Sequence, residues 1–189
     1  MIRMKAAFLL LAAVLFAGCS TTLVRETPVP VRIADGVLLD TAPLVEALIG
    51  LKGTRVQAAN GSWKDQAFSA QCVLKGDGEK LTVVFLAPQL RLLTITLTKP
   101  HTITCERAAQ IPRALEPEYA LADLAYVNLD AETLRRVVAP ALRVDDDGTT
   151  RRVFARTTPV AEVVRRANGD IEFKNLRHGY SYTLRSITP

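Results

Sequence analysis

Between Leu93 and Glu106 the chain alternates with a period of two. Thr94, Thr96, Thr98, Thr102 and Thr104 fall on one side, and Leu93, Ile95, Leu97, Ile103 and Cys105 on the other. Successive side chains of a strand point to opposite faces, so this pattern demands a sheet with one face buried. The preceding runs extend it. Thr54–Ala59, Phe68–Lys75, Leu81–Leu86 and Leu90–Thr98 read as strands, separated by Asn60-Gly61-Ser62, Gly76-Asp77-Gly78 and Pro88. Lys99-Pro100 then precedes Thr102–Glu106. Connections this short make consecutive strands antiparallel neighbours. Leu81–Leu86 is apolar on both faces, which predicts cover on both sides.

The pattern changes twice. Val31–Asp40 reads as a short strand and turn. Asp40 then stands where a helix cap belongs, with Leu44, Ala47, Leu48 and Leu51 on one face and Gly50 or Gly53 as the stop. Glu116–Ala139 reads as two short helices. Tyr119, Leu121, Leu124, Ala125 and Val127 lie in the first, Asp130 caps the second, and Leu134, Val137 and Val138 give that helix its apolar face before Pro140. Strands resume at Arg151–Arg156, Val160–Arg166, Asp170–Asn175 and Tyr180–Ile187, with Asn168-Gly169 as the clearest hairpin turn. The expected fold class is α+β. It comprises a curved antiparallel sheet, an open half-barrel of roughly 9–11 strands, with two or three short helices lidding its concave face.

The N-terminus sets the expected address. Arg3 and Lys5 precede an unbroken apolar run from Ala6 to Ala17. That run is shorter than the ~20 residues a spanning helix needs, and suits the apolar core of an export signal. Leu15-Phe16-Ala17-Gly18-Cys19 resembles the bacterial lipobox, with Phe16 where leucine is usual. The resemblance implies cleavage after residue 18, lipidation of Cys19 and attachment to the membrane through acyl chains. Two or more chains hold firmly where one binds marginally. Ser20, where inner-membrane lipoproteins of enteric bacteria often carry aspartate, implies the periplasmic face of the outer membrane. Domain organisation follows: 1–18 signal peptide, 19–30 lipidated terminus and extended tether, 31–189 a single domain. The tether would reach about 30 Å at an extended rise per residue.

Charge excludes one class. The 189 residues carry a net +5, and removing residues 1–18 leaves 171 residues at +3. The arginines are scattered rather than striped among aromatics, and export removes the chain from nucleic acid, so no nucleic-acid partner is expected. After Cys19 is lipidated, Cys72 and Cys105 remain. Counting strands puts two others between them, a gap beyond the ~7 Å that a disulfide spans. Two small buried hydrophobes are favoured over a bridge.

Few groups point to chemistry. The two histidines, His101 and His178, lie far apart, and Gly-x-Ser-x-Gly and phosphate-cradling motifs are missing from the sequence. Asp145-Asp146-Asp147-Gly148 has acids in a row without the alternation of a calcium loop, so it reads as a turn. No enzyme activity, cofactor or metal is expected. Trp63, the only tryptophan, stands at a hairpin tip beside Lys64 as a rim residue or an exposed aromatic for lipid or ligand. Tyr180 and Tyr182 share one face of the last strand.

The order of lipobox, tether, helix, meander, paired helices and second meander resembles LolA and LolB, the periplasmic lipoprotein carrier and receptor. The local likeness is carried by Arg151-Arg152-Val153-Phe154, Pro159-Val160-Ala161-Glu162-Val163, and Asn175 to Tyr182-Thr183-Leu184. It is similar also to a family of small outer-membrane lipoproteins associated with aryl-polyene-type gene clusters. The resemblance implies a carrier that binds or transfers an acylated or polyene-like ligand in an apolar cavity, with an envelope transport partner. Val83, Phe85, Leu93, Ile95 and Ile103 would line the sheet side, Leu121, Leu124 and Leu134 the helix side, and Trp63 the mouth. The same residues could fill one another instead. A structural lipoprotein presenting a sheet edge to a partner, or a lipid-acting hydrolase, are the alternatives.

Overall fold

A computed structural model describes residues 20–64, 66–88, 90–108 and 117–187. The expected signal segment, residues 1–18, and Cys19 lie outside these. Among the described residues, thirteen strands and three helices follow one another as β1 (Ser20–Arg25), β2 (Val31–Ala34), β3 (Val37–Leu39), α1 (Ala42–Ile49), β4 (Lys52–Trp63), β5 (Gln66–Asp77), β6 (Lys80–Ala87), β7 (Leu90–Thr98) and β8 (Thr102–Ala108). Then come α2 (Pro117–Asn128), α3 (Ala131–Val138), β9 (Arg143–Asp146), β10 (Thr150–Ala155), β11 (Thr158–Arg165), β12 (Ile171–Asn175) and β13 (Tyr180–Ser186).

Eleven strands form one antiparallel sheet in the order β1-β8-β7-β6-β5-β4-β13-β12-β11-β10-β9, and β2 and β3 form a separate hairpin. The sheet is not closed, because β1 and β9 are both edges. The first meander, β4 to β8, joins the second, β9 to β13, through the β4–β13 pair. Helix α1 packs on β6 and β7, α2 on β11 and β12, and α3 on β9, while α1 touches both other helices. Helices that contact each other and both halves of one sheet must lie within its curve. The fold is thus α+β, an open antiparallel sheet with three short helices.

The period-two reading holds where it is strongest. Leu93, Ile95, Leu97, Ile103 and Cys105 are buried, and Thr94, Thr96 and Thr104 are half-buried on the opposite face. Asp130 caps α3 by accepting the Thr133 N–H at 2.8 Å. Gly169, at φ +84°, turns β11 into β12. Asp40 is displaced by one residue from the cap position, which Thr41 occupies, yet its Oδ1 still accepts the Ala42 N–H at 3.0 Å. Cys72 on β5 is a free buried thiol, separated from buried Cys105 on β8 by β6 and β7.

Three expectations need correction. Ser20–Arg25 is an edge strand paired with β8 from Ser20↔Ala108 to Arg25↔Ile103, not part of a free tether. An unpaired edge offers the extended chain a full row of hydrogen-bond partners, and Pro28 and Pro30 end the strand's reach. Asn60-Gly61-Ser62 is not a turn, because β4 runs on to Trp63. Gly61 is needed there for closeness, since a Cβ would collide with the Ser181 carbonyl oxygen and the Phe68 ring. In β6, Leu81 and Val83 are fully buried while Val84 and Leu86 stay half-exposed, so cover comes from one side only.

Candidate functional site

Eight of the nine predicted ligand-lining residues meet in one cluster. Val83, Ile95, Ile103, Leu121 and Leu134 have no exposed surface, Leu93 and Leu124 keep 8%, and Phe85 packs partly buried against the rest. A side chain that borders a water-sized hollow retains accessible surface, so the five at zero border none. These residues fill the space between sheet and helices with each other. Trp63 lies apart, half-buried at the end of β4, with the Lys64 ammonium 5.2 Å from its ring centroid.

The polar groups of the interior converge elsewhere, between α2 and the β12–β13 turn. Tyr119, Asp123 and Tyr126 project from one side of α2, at a spacing of four and three residues. Asn175 ends β12 and Tyr180 begins β13. The Asp123 carboxylate accepts from the Tyr180 hydroxyl and, at 3.2 Å, from Asn175 Nδ2. Asn175 Oδ1 in turn accepts the His178 backbone N–H at 2.9 Å, which shapes the turn. The His178 ring meets Tyr119 edge-on at 4.7 Å. Sequence reading singled out Tyr180 and His178 separately and missed Asp123 and Asn175. The available signal was the Tyr119–Asp123–Tyr126 spacing, which places a carboxylate on an otherwise apolar helix face.

Burial dominates the electrostatics of this cluster. It pushes the Asp123 carboxyl up from 3.8 to about 7, against the lowering effect of its hydrogen bonds from Tyr180 and Asn175. Burial, followed by the Asp123 charge, raises the Tyr180 phenol. Burial and then Arg177 lower the His178 imidazole. Tyr126 Oη and His178 Nε2 are buried without a hydrogen-bond partner among the described residues. They border, with Asp123 and Asn175, a cleft of about 10 Å³, the space of a single water. The cluster can therefore hold or release one proton near neutrality and bind one small polar group.

A larger opening lies at the β1 edge. It encloses about 270 Å³, with Leu23, Cys105 and Pro117 as its apolar residues and Thr21, Thr22, Arg25 and Arg107 as its polar ones. Arg25 Nε pairs with Glu118 Oε1 at 2.7 Å, tying β1 to the first turn of α2. Arg107 Nε donates to Thr21 Oγ1 at 3.3 Å across the β1–β8 pair. This groove starts at Thr21, two residues beyond Cys19. Burial raises the Cys72 thiol to about 12, which leaves it a packing group. Among the described residues no three metal-ligating side chains come together, and no helix is long and apolar enough to cross a membrane.

No curated protein matches the chain. A family model matches residues 54–188, from the third residue of β4 through β13, leaving β1, β2, β3 and α1 outside it. By that match, which covers more than half its length, the chain belongs to the family described as protein of unknown function (DUF3261).

Proposed function

We propose that this is a lipid-anchored envelope protein without enzyme activity, held by acylated Cys19 at the periplasmic face of the outer membrane. Its domain, of LolA/LolB-like architecture, binds or transfers an acylated or polyene-like hydrophobic ligand. The observation that carries this reading is the groove of about 270 Å³ beside β1, next to the expected anchor. Its volume sits just below the ~300–1,000 Å³ of ordinary small-molecule sites, so it suits one chain or ring system rather than a whole lipid. Apolar burial drives such binding at about 0.025 kcal/mol per Å². In this reading the ligand lies at the sheet edge and the packed interior serves as scaffold.

A second reading is favoured by Val24, 59% exposed on the open edge of the sheet. A strand of an envelope partner could pair there. The test is native mass spectrometry of the protein extracted from its own envelope. The expected spectrum shows a hydrophobic adduct on the acylated chain, lost when Leu23→Trp fills the groove. Acylated but ligand-free protein would refute ligand carriage and leave the edge-pairing reading. Unmodified Cys19 would refute the address.

A further inference from the structure

The strand register sorts the turns into two ends of the sheet. Ser20 pairs with Ala108, Ala87 with Leu90, Trp63 with both Gln66 and Tyr180, Asn175 with Tyr180, and Ala155 with Thr158. Because every pair is antiparallel, the start of β1 lies at the same end as the β4–β5, β6–β7, β10–β11 and β12–β13 turns. The turns after β5 and β7, the β9–β10 turn and Asn168-Gly169 lie at the opposite end.

The two ends differ in chemistry. At the β1-start end, Phe68 is 38% exposed, Leu90 38% and Leu176 48%. Half-buried Trp63 stands among them. The described charged side chains of these turns are Lys64, Arg156 and Arg177, while the sequence places Asp65 beside Lys64, and Arg91, one residue inside the β6–β7 turn, lies 4.0 Å from Glu106, so bases outnumber acids at this end. The nearest described acid of the β2–β3 tip is Asp35, beside Gly36, whose added Cβ would lie 3.2 Å from the Arg156 guanidinium. The β4–β5 hairpin also projects. Residues Gln66–Ser69 run past the end of β6, about 13 Å of strand. At the far end the turns carry four acids, Asp77, Glu79, Asp147 and Asp170, against two bases, Lys99 and Arg166, which are ion-paired with Glu79 and Glu172.

We infer that the β1-start end is a bilayer-contact surface, with the projecting β4–β5 hairpin seated among anionic lipid headgroups. This deepens the proposed function and rests on its lipidated Cys19. The next residue, Ser20, is hydrogen-bonded into the sheet, so an anchor there has little slack and must bring this end to the lipid. Apolar tips among cations match an interface of acyl chains beneath anionic heads, where an aromatic such as Trp63 also belongs. The groove at β1 then opens at the membrane surface, with its ligand supply or acceptor in the lipid itself.

Trp63, as the sole tryptophan, reports on this surface without labelling. The full lipidated protein is reconstituted into vesicles of phosphatidylethanolamine and phosphatidylglycerol, with plain or brominated acyl chains. Cys19 acylation is read by mass in the same sample. The expected result is bromine quenching of Trp63 with loss of acrylamide access. Lys64→Asn and Arg177→Gln each lower the ratio of docked to undocked rim about fivefold, as loss of one membrane-proximal cation predicts. Phe68→Ser with Leu90→Ser weakens the quenching while the protein stays on the vesicles. Acylated protein whose Trp63 remains as open to acrylamide as in detergent-free buffer overturns the inference and leaves the anchor standing. Unacylated Cys19 overturns the anchor and this inference with it.

Discussion

Replacing Asp123 by asparagine tests the buried cluster directly. In the unfolded chain this carboxyl ionises near 3.8, and in the folded protein near 7. Between these values the native state holds a proton that the unfolded state has released. Raising the pH therefore weakens the fold, with no penalty below about pH 4 and the full penalty above about pH 7. The span of about three pH units, at about 1.4 kcal/mol each, corresponds to about 4 kcal/mol. Asparagine keeps the shape and an acceptor for Tyr180 but never ionises. Its cost is the contact with Asn175, where two amide groups must reorient to pair, about 1 kcal/mol at every pH. Asp123→Asn should thus be slightly less stable than the native protein at pH 4 and more stable at pH 8. The assay is urea unfolding of both proteins across that range, which cancels the titration of all other groups in the difference. With a slope of roughly 2 kcal/mol per molar urea, the midpoint difference should swing by about 2 M. A difference that stays constant with pH, or one that grows in the opposite direction, would refute burial as the controlling force on Asp123.

Two further perturbations test the scaffold. Arg151, 2% exposed, pairs with Asp146 at 2.6 Å and donates to the Leu129 carbonyl at 2.8 Å and to that of Tyr126, closing the C-terminal end of α2. Arg151→Ala leaves the Tyr126 and Leu129 carbonyls unpaired and Asp146 with only the Gly148 N–H at 2.8 Å and Arg165 at 3.7 Å, so thermal unfolding should show a loss of about 3 kcal/mol. Gly61→Ala should separate β4 from β13 at the Ser181 carbonyl, detected as faster amide exchange at Ser62 and Tyr182 than at Val56 and Cys72 on the same hairpin. Unchanged exchange would mean that the strands absorb a methyl group there.

Residues whose partners are near in sequence were legible from the chain alone. Alternation of Leu93, Ile95 and Leu97 with threonines named the buried face of β7. Asp130 and Asn168-Gly169 marked a helix start and a hairpin, because each acts on backbone groups within three residues of itself. What remained hidden depended on partners far along the chain. Ser20–Arg25 looks like a spacer until Thr102–Ala108 presents an edge some eighty residues later. Asp123 meets Asn175 and Tyr180 across separations of 52 and 57 residues, through the register of β12 with β13 and the docking of α2 on β12. Gly61 reads as a turn residue, whereas the tertiary fold uses its missing side chain to let β13 approach.

The apolar set from Val83 to Leu134 shows the same division most clearly. Composition and period determined that these residues turn away from water. Whether they enclose a hollow or fill it depends on how closely three helices settle into a curved sheet, and a difference of a methyl group per residue decides it. That distance belongs to packing, which no local pattern encodes, and in this fold it closed the interior and left the open volume at the edge beside β1.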